Sequence, residues 1–235
     1  GMGVLLTRQW KKNFKPAEIF NLGLYTTAFL AGLSVFFLTG YLLADIKIWL
    51  ASLLGILTTL VAATTTKYYA GMEGAKVPLI AEASKRGPAL NMITALSYGL
   101  QSPIATIVMI VSSIILSFQF SGGLLLAIVV VNISTDLLIG YIMTADCFGP
   151  IVDNAAGIAE MAKAPKETIR ALSKLDSVGN TMKAITKAYA MSSGTITAFV
   201  IFATFFTMTG ISSLNLTDTY NLGFLFLGIS LPYLI

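Results

Sequence analysis

Six apolar runs divide the chain, at about Leu22–Ala44, Ile48–Thr66, Ala89–Phe118, Gly122–Ala145, Ala188–Thr209 and Leu222–Ile235. A helix needs ~20 predominantly apolar residues to cross a bilayer, so the first five predict full spans and the last, stopping at Ile235, a truncated one. The turn at Asp45–Lys47 is short, which makes the first two spans an antiparallel hairpin. Gly71, Gly74, Pro78 and Gly87 interrupt the Lys67–Pro88 connection and leave one short amphipathic helix at Leu79–Ser84. The third run is longer than a span requires, and its polar first portion, NMITALSYGLQSP, is expected to stand clear of the membrane before Pro103. Thr58, Thr59, Thr64, Thr65 and Thr66 on the second run are expected to bond to their own preceding turn or to a neighbouring helix.

The stretch from Asp146 to Lys187 interrupts the apolar pattern most strongly. At helical spacing Asp146, Asp153 and Glu160 fall at i, i+7 and i+14, on one face. Asp176, Asn180, Lys183 and Lys187 fall at i, i+4, i+7 and i+11, on one line of a second helix. Pro165, followed by Lys166 and Glu167, reads as the helix start between them. Both polar helices run on into apolar runs, so each is predicted to be a single unbroken helix, half inside the bilayer and half outside. The fold class that follows is all-α transmembrane: a multi-span helical bundle with two long helices extending into the cytoplasm. Residues 1–21 form a basic cytoplasmic or interfacial lead-in, with Trp10 and Phe14 as anchors, and residues 22–235 form the bundle, with a site region at 146–187.

Composition agrees with the pattern: 56% of residues are hydrophobic and 11% charged, against ~25% charged in soluble domains. The placement of charge adds an orientation. Of the 15 Lys and Arg residues, all but Lys47 fall on alternate connections: the segment before Leu22, the connection after Thr66, and the central polar stretch. That positive-inside bias puts the N-terminus and the site region on the cytoplasmic side. No signal-peptide pattern precedes the first run, which is read as a retained span. The absence of histidine excludes imidazole bases and His-ligated metals, and the single cysteine, Cys147, excludes an internal disulfide.

Asp136 lies within the fourth run, roughly 15 Å before Asp146 at ~1.5 Å per residue. A charge near the bilayer midplane costs ~2.5–3.5 kcal/mol on insertion scales, and such residues usually face a cavity or a partner. Asp136 is therefore a candidate for an ion pathway; the alternative is a protonated or hydrogen-bonded carboxyl facing another helix.

Phosphate-binding loops, dinucleotide fingerprints, nucleophile elbows and zinc-ligand spacings do not occur in the sequence. Hard cations take oxygen ligands and phosphate oxygens take ammonium donors, so two facing helices carrying Asp146, Asp153, Asp176, Asn180, Lys183 and Lys187 could hold Mg²⁺ and a phosphate between them. The same charges would also suit a secondary transporter or channel whose cytoplasmic mouth binds an anion or selects a cation without chemistry.

The segment DCFGPIVDNAAGIAEMA, followed by LDSVGNTMKAITKAYA, resembles the membrane-integral inorganic pyrophosphatases, ion pumps driven by pyrophosphate hydrolysis, whose matching stretches run DAYGP-DNAGGIAEM and LDAVGNTTKAxTKGYA. TKYY, ALSYGLQSP and SLPYL extend the likeness over most of the chain. Departures are Cys147 and Phe148 for Ala and Tyr, Ala156 and Ala188 for Gly, and Met182 for Thr; an added methyl at a tight helix crossing is expected to shift its spacing.

The resemblance implies that Asp153 and Asn180 contribute to a Mg²⁺ and diphosphate cage, with Asp146 and Asp176 as nearby acidic members and Lys187 on the substrate. It further implies that Lys183, with Thr186, replaces a bound K⁺ as in the K⁺-independent subclass. Transport of H⁺ or Na⁺ and a homodimeric protein are also implied. The family's DxxxxxxxKxE and C-terminal DxxxD-type motifs are missing, so the chain looks like a central fragment that is not expected to hydrolyse diphosphate alone.

Overall fold

The computed structural model describes residues 16–42, 45–211 and 213–234, and among these there is no strand. Among the described residues nine α-helices follow one another: α1 (Pro16–Leu42), α2 (Ile46–Ala70), α3 (Val77–Ser84), α4 (Pro88–Gln101), α5 (Ile104–Phe120), α6 (Leu125–Thr135), α7 (Ile139–Met161), α8 (Lys166–Thr209) and α9 (Thr219–Ser230). Short 3₁₀ turns occupy Asp136–Leu138 and Leu231–Leu234. Five helical stretches among the described residues, Ala17–Tyr41, Ile46–Ala70, Pro88–Phe120, Leu125–Met161 and Lys166–Thr209, are long and apolar enough to cross a membrane. The fold is an all-α, multi-span bundle. The lead-in residues Arg8, Trp10, Lys11, Lys12, Phe14 and Lys15 lie outside the described residues.

The helix ends follow their chemistry. Asp45 starts α2 by accepting the Lys47 N–H at 2.8 Å, satisfying one of the first-turn donors that have no intrahelical acceptor. Gly71 ends α2 with its N–H on the Lys67 carbonyl. Pro165 caps α8 through its carbonyl, which accepts from Thr168 and Ile169. The third apolar run is two helices, α4 and α5, parted at Ser102 and Pro103, because proline lacks the N–H that would continue the ladder.

The chain divides into two compact units, Gly1–Thr197 and Ala198–Ile235. In the first, α2 is the central rod, packed on α1, α5 and α6. Gly55 makes this packing close: a Cβ there would lie 2.3 Å from the Val131 carbonyl oxygen. The core joins Phe20, Leu24 and Ala28 of α1, Ile56 and Ala63 of α2, Leu138 and Ile142 around the 3₁₀ turn, and Met182, Ile185 and Tyr189 of α8. Tyr141 reaches across from α7, its hydroxyl donating to the Phe20 carbonyl at 3.0 Å over Gly23, where any Cβ would collide with the ring.

The fourth run departs from the unbroken helix its sequence predicts. At Asp136–Leu138 the Ile139 N–H bonds back three residues, to the Asp136 carbonyl, instead of four. The Thr135 carbonyl is thereby released from the ladder and accepts the Thr59 hydroxyl of α2 at 3.1 Å. A buried side-chain donor stands in for the missing backbone donor, which is what allows the 3₁₀ turn inside an apolar environment. α8, in contrast, runs unbroken for 44 residues.

In the second unit Gly210, at φ 69°, closes α8 in a left-handed conformation that glycine adopts without a Cβ clash. Asp218 then caps α9, its carboxylate accepting the N–H groups of Tyr220 and Asn221 at 2.8 and 3.3 Å. The residues of α9 are largely exposed.

Candidate functional site

The site begins at a helix crossing. Gly149 of α7 and Gly179 of α8 meet so closely that a Cβ on Gly179 would sit 2.8 Å from the Gly149 Cα. A Cβ on Gly149 would lie 3.0 Å from Cε of Lys183, so the missing side chain is the space through which the Lys183 arm passes from α8 to α7. These two glycines bring the backbones of the two polar helices into contact. Their signal in the sequence is a glycine within one turn of a predicted site residue on each helix.

Beyond the crossing four predicted residues come together. Lys183 Nζ lies 3.8 Å from Asp153 Oδ2 and donates to Asn180 Oδ1 at 3.4 Å. Asn180 Nδ2 donates in turn to Asp176 Oδ2 at 3.1 Å. The result is a chain of acid, amine, amide and acid spanning two helices. The Asp153 carboxylate is about two-thirds exposed, at 66%, so the ion pair contributes at most about 1 kcal/mol to stability. Its effect is to aim the ammonium. Asp176 Oδ1 and the hydroxyl of Thr186 are buried without a hydrogen-bond partner, which leaves two oxygen positions open beside the chain.

The remaining predicted residues are placed separately. Asp146 is half-buried on α7. Successive acids at i+7 stand about 10.5 Å apart along a helix, which keeps Asp146, Asp153 and Glu160 from converging on one ion although they share a face. Among the described residues no three Asp, Glu, His or Cys side chains gather closely enough to hold a metal. Pro150 adds an oxygen in their place: with no N–H to donate, it leaves the Asp146 carbonyl without its helical partner. Lys187 lines a different cavity, about 410 Å³, with Thr66 of α2, Ser102 and Thr106 near the α4–α5 break, and Ser192 and Thr195 of α8. Asp136 lies away from the cluster, its Oδ1 accepting from Tyr189 at 2.6 Å and Ser193 at 3.0 Å. Neither hydroxyl stands out in the sequence, because an isolated Tyr or Ser on an apolar helix carries no pattern.

The family model for inorganic H⁺ pyrophosphatase matches residues 2–235. This chain belongs to the inorganic H⁺ pyrophosphatase family. Among its relatives a Methanosarcina mazei protein, named a K⁺-insensitive pyrophosphate-energized proton pump, is 33% identical over 86% of the chain and 31% of its own length. A Moorella thermoacetica protein of the same description, numbered 2, is 32% identical over 83% of the chain and 30% of its own length. A Clostridium tetani protein, provisionally named a K⁺-stimulated pyrophosphate-energized sodium pump, is 33% identical over 99% of the chain and 35% of its own length. The chain thus spans about a third of the length of these relatives. The α7 and α8 stretches that carry the family resemblance, DCFGPIVDN and LDSVGNTMKAITK, are the two that meet at Gly149 and Gly179.

Proposed function

We propose that this chain is the part of an ion-translocating membrane pyrophosphatase that supplies Asp153, Asp176, Asn180 and Lys183 to a diphosphate site, in a longer protein that completes it. The reading is carried by one observation: Lys183 crosses from α8 through the gap at Gly149 to stand beside Asp153, which joins two otherwise separate family stretches at one point. An ammonium has three donors, so Lys183 can hold Asp153 and Asn180 and still offer a proton to a phosphate oxygen.

The donor set suits Mg²⁺ in kind, since every candidate ligand is oxygen. It is incomplete in number: Asp153 and Asn180, with the open Asp176 oxygen, would hold one side of the ion, and the other ligands belong to segments outside this chain. Mg²⁺ would neutralise charge on the diphosphate. The residues of this chain orient the substrate through Lys183 and exclude water on the side closed by the Gly149–Gly179 crossing.

The reaction is hydrolysis of inorganic diphosphate coupled to carriage of H⁺ or Na⁺, by a homodimeric protein in the lipid bilayer with this site facing the cytoplasm. The asymmetry of Lys and Arg supports that orientation. Lys183 supplies in tethered form the unit charge that K⁺ provides in K⁺-requiring enzymes, which supports activity without K⁺. The test is binding of a non-hydrolysable diphosphate analogue to the complete protein. Binding that needs Mg²⁺ and disappears in Asp153→Ala is the expected result. Mg²⁺-independent anion binding without phosphate release would overturn the reading in favour of a non-enzymatic transporter or channel.

A further inference from the structure

We propose that Asp136, with Tyr189 and Ser193, forms an intramembrane proton-binding site that is loaded from the diphosphate site along one face of α8. The proposal rests on the pump reading above and adds to it a place and a route for the ion.

Three observations carry it. The first is the Asp136 carboxylate itself: one oxygen receives the hydroxyls of Tyr189 at 2.6 Å and Ser193 at 3.0 Å, while the Thr135 hydroxyl, 3.4 Å away, donates to the Asn132 carbonyl at 2.6 Å. Its hydrogen-bond partners among the described residues are hydroxyls, and neither ion pair described, Lys85–Glu82 or Lys183–Asp153, includes it. A carboxylate held without a cation near the middle of a span is costly, by ~2.5–3.5 kcal/mol on insertion scales, and binding a proton removes that charge.

The second is register. Thr186, Tyr189 and Ser193 follow at steps of three and four on α8, which keeps them along one face, with Lys183 about one turn before Thr186. Tyr189 stands six residues, about 9 Å, along the axis from Lys183. The third is the hydroxyl between them. Thr186 is buried, 9% exposed, and its Oγ1 has no hydrogen-bond partner. It is an unmatched polar group on that face, between the level of Lys183 and that of Tyr189.

The transfer balances with no redox partner. Tyr189 passes its hydroxyl proton to the Asp136 oxygen it already touches and is refilled by a proton released when diphosphate is hydrolysed, so neither phenolate nor hydroxide is left behind. One proton moves, no bond to carbon changes, and the phenol ends as it began. Bonds from Thr197 to Asn132 at 3.0 Å and from Ser193 to Asp136 continue the polar line below this point.

The experiment uses the complete protein containing this segment, reconstituted in sodium-free proteoliposomes, with phosphate release and acidification recorded together. In Asp136→Asn the ratio of protons carried to diphosphate hydrolysed is expected to fall at least about tenfold, the scale on which a positioned proton-transfer group acts. Tyr189→Phe, which keeps the carboxylate and removes the relay, is expected to lower the same ratio, and Asp136→Glu to restore part of it. Wild-type ratios in both Asp136→Asn and Tyr189→Phe overturn the proposal while leaving the pump reading intact. Absence of diphosphate hydrolysis in the wild-type protein would instead sink the pump reading on which it stands. Where Asp136→Asn does not assemble, Tyr189→Phe decides the question alone.

Discussion

Two polar regions of one bundle differ in how their oxygens are used. Where α2 meets α5 and α6, the hydroxyls are closed in. Thr58 donates to the Leu54 carbonyl at 2.8 Å and lies 2.9 Å from the Ser113 hydroxyl, and Thr59 donates to the Thr135 carbonyl. Thr58, Thr59 and Ser113 are all buried. Where α7 meets α8, a carboxylate oxygen and a hydroxyl are buried without partners and an ion pair stands open to solvent. Both regions depend on a glycine that lets backbones touch, Gly55 in one and Gly149 with Gly179 in the other. Polar atoms in apolar helices serve packing when their hydrogen bonds close on each other; the residue of unmet bonds is what marks a site.

The largest expected effect lies at the open region. Asp153→Ala removes the only carboxylate that Lys183 reaches on α7, and hydrolysis by the complete protein is expected to fall at least about 100-fold, as when one preorganised electrostatic group is lost. Phosphate release at saturating Mg²⁺ measures it. Activity within threefold of wild type would place the site elsewhere.

The two glycine contacts separate the regions next. In Gly55→Ala the new Cβ meets the Val131 carbonyl and the Ser134 side chain, neither of which can withdraw, so thermal stability in detergent should drop by the ~1–3 kcal/mol typical of overpacking. In Gly149→Ala the new methyl meets the flexible end of Lys183, which can swing aside, and the Gly179 carbonyl oxygen at 3.3 Å, which must give by a few tenths of an ångström. That variant should lose less stability than Gly55→Ala and lose affinity for the diphosphate analogue. An equal loss of stability in both would erase the distinction between a closed seam and an open site.

Much of this was readable from spacing, and the exceptions are instructive. The five spans, the short turn at Asp45–Lys47 and the unbroken run of α8 follow from apolar periodicity and local polar chemistry, both of which act over a few residues. Asp153, Asn180 and Lys183 could be expected to meet because two polar stripes face each other. The 3₁₀ turn at Asp136–Leu138 was not legible: whether the Thr135 carbonyl stays in its helix depends on Thr59, far away in sequence, offering a better donor. Lys187 shares the stripe of Lys183, yet it lines the cavity near the α4–α5 break, because a stripe fixes where a Cα stands and a long side chain can leave it. Tyr189 and Ser193 became visible only through their contact with Asp136.

A smaller effect tests the ammonium. Lys183→Ala removes a unit charge next to Asp153 and Asn180 while leaving both crossing glycines in place, and the complete protein is expected to need added K⁺ for activity that the unmodified form shows without it. Titration of phosphate release with K⁺ in both forms provides the measurement. Indifference of both to K⁺ would mean that the amine only pairs with Asp153.

The smallest effect belongs to the closed region, and its smallness is the point. Thr58→Val keeps the shape of the side chain and deletes a hydroxyl that bridges Leu54 and Ser113. Ser113 is not stranded, because its own hydroxyl already lies 3.4 Å from the Leu54 carbonyl and can close on it. With no polar atom left unmatched, the cost should be near the ~0.6 kcal/mol average for interhelical hydrogen bonds in membranes, with hydrolysis unchanged. A double-mutant cycle of Thr58→Val and Ser113→Ala in detergent unfolding measures the coupling directly. A coupling above about 2 kcal/mol, or a loss of hydrolysis in Thr58→Val, would show that the seam is tied to the chemistry after all, since closed hydrogen bonds alone do not reach that size.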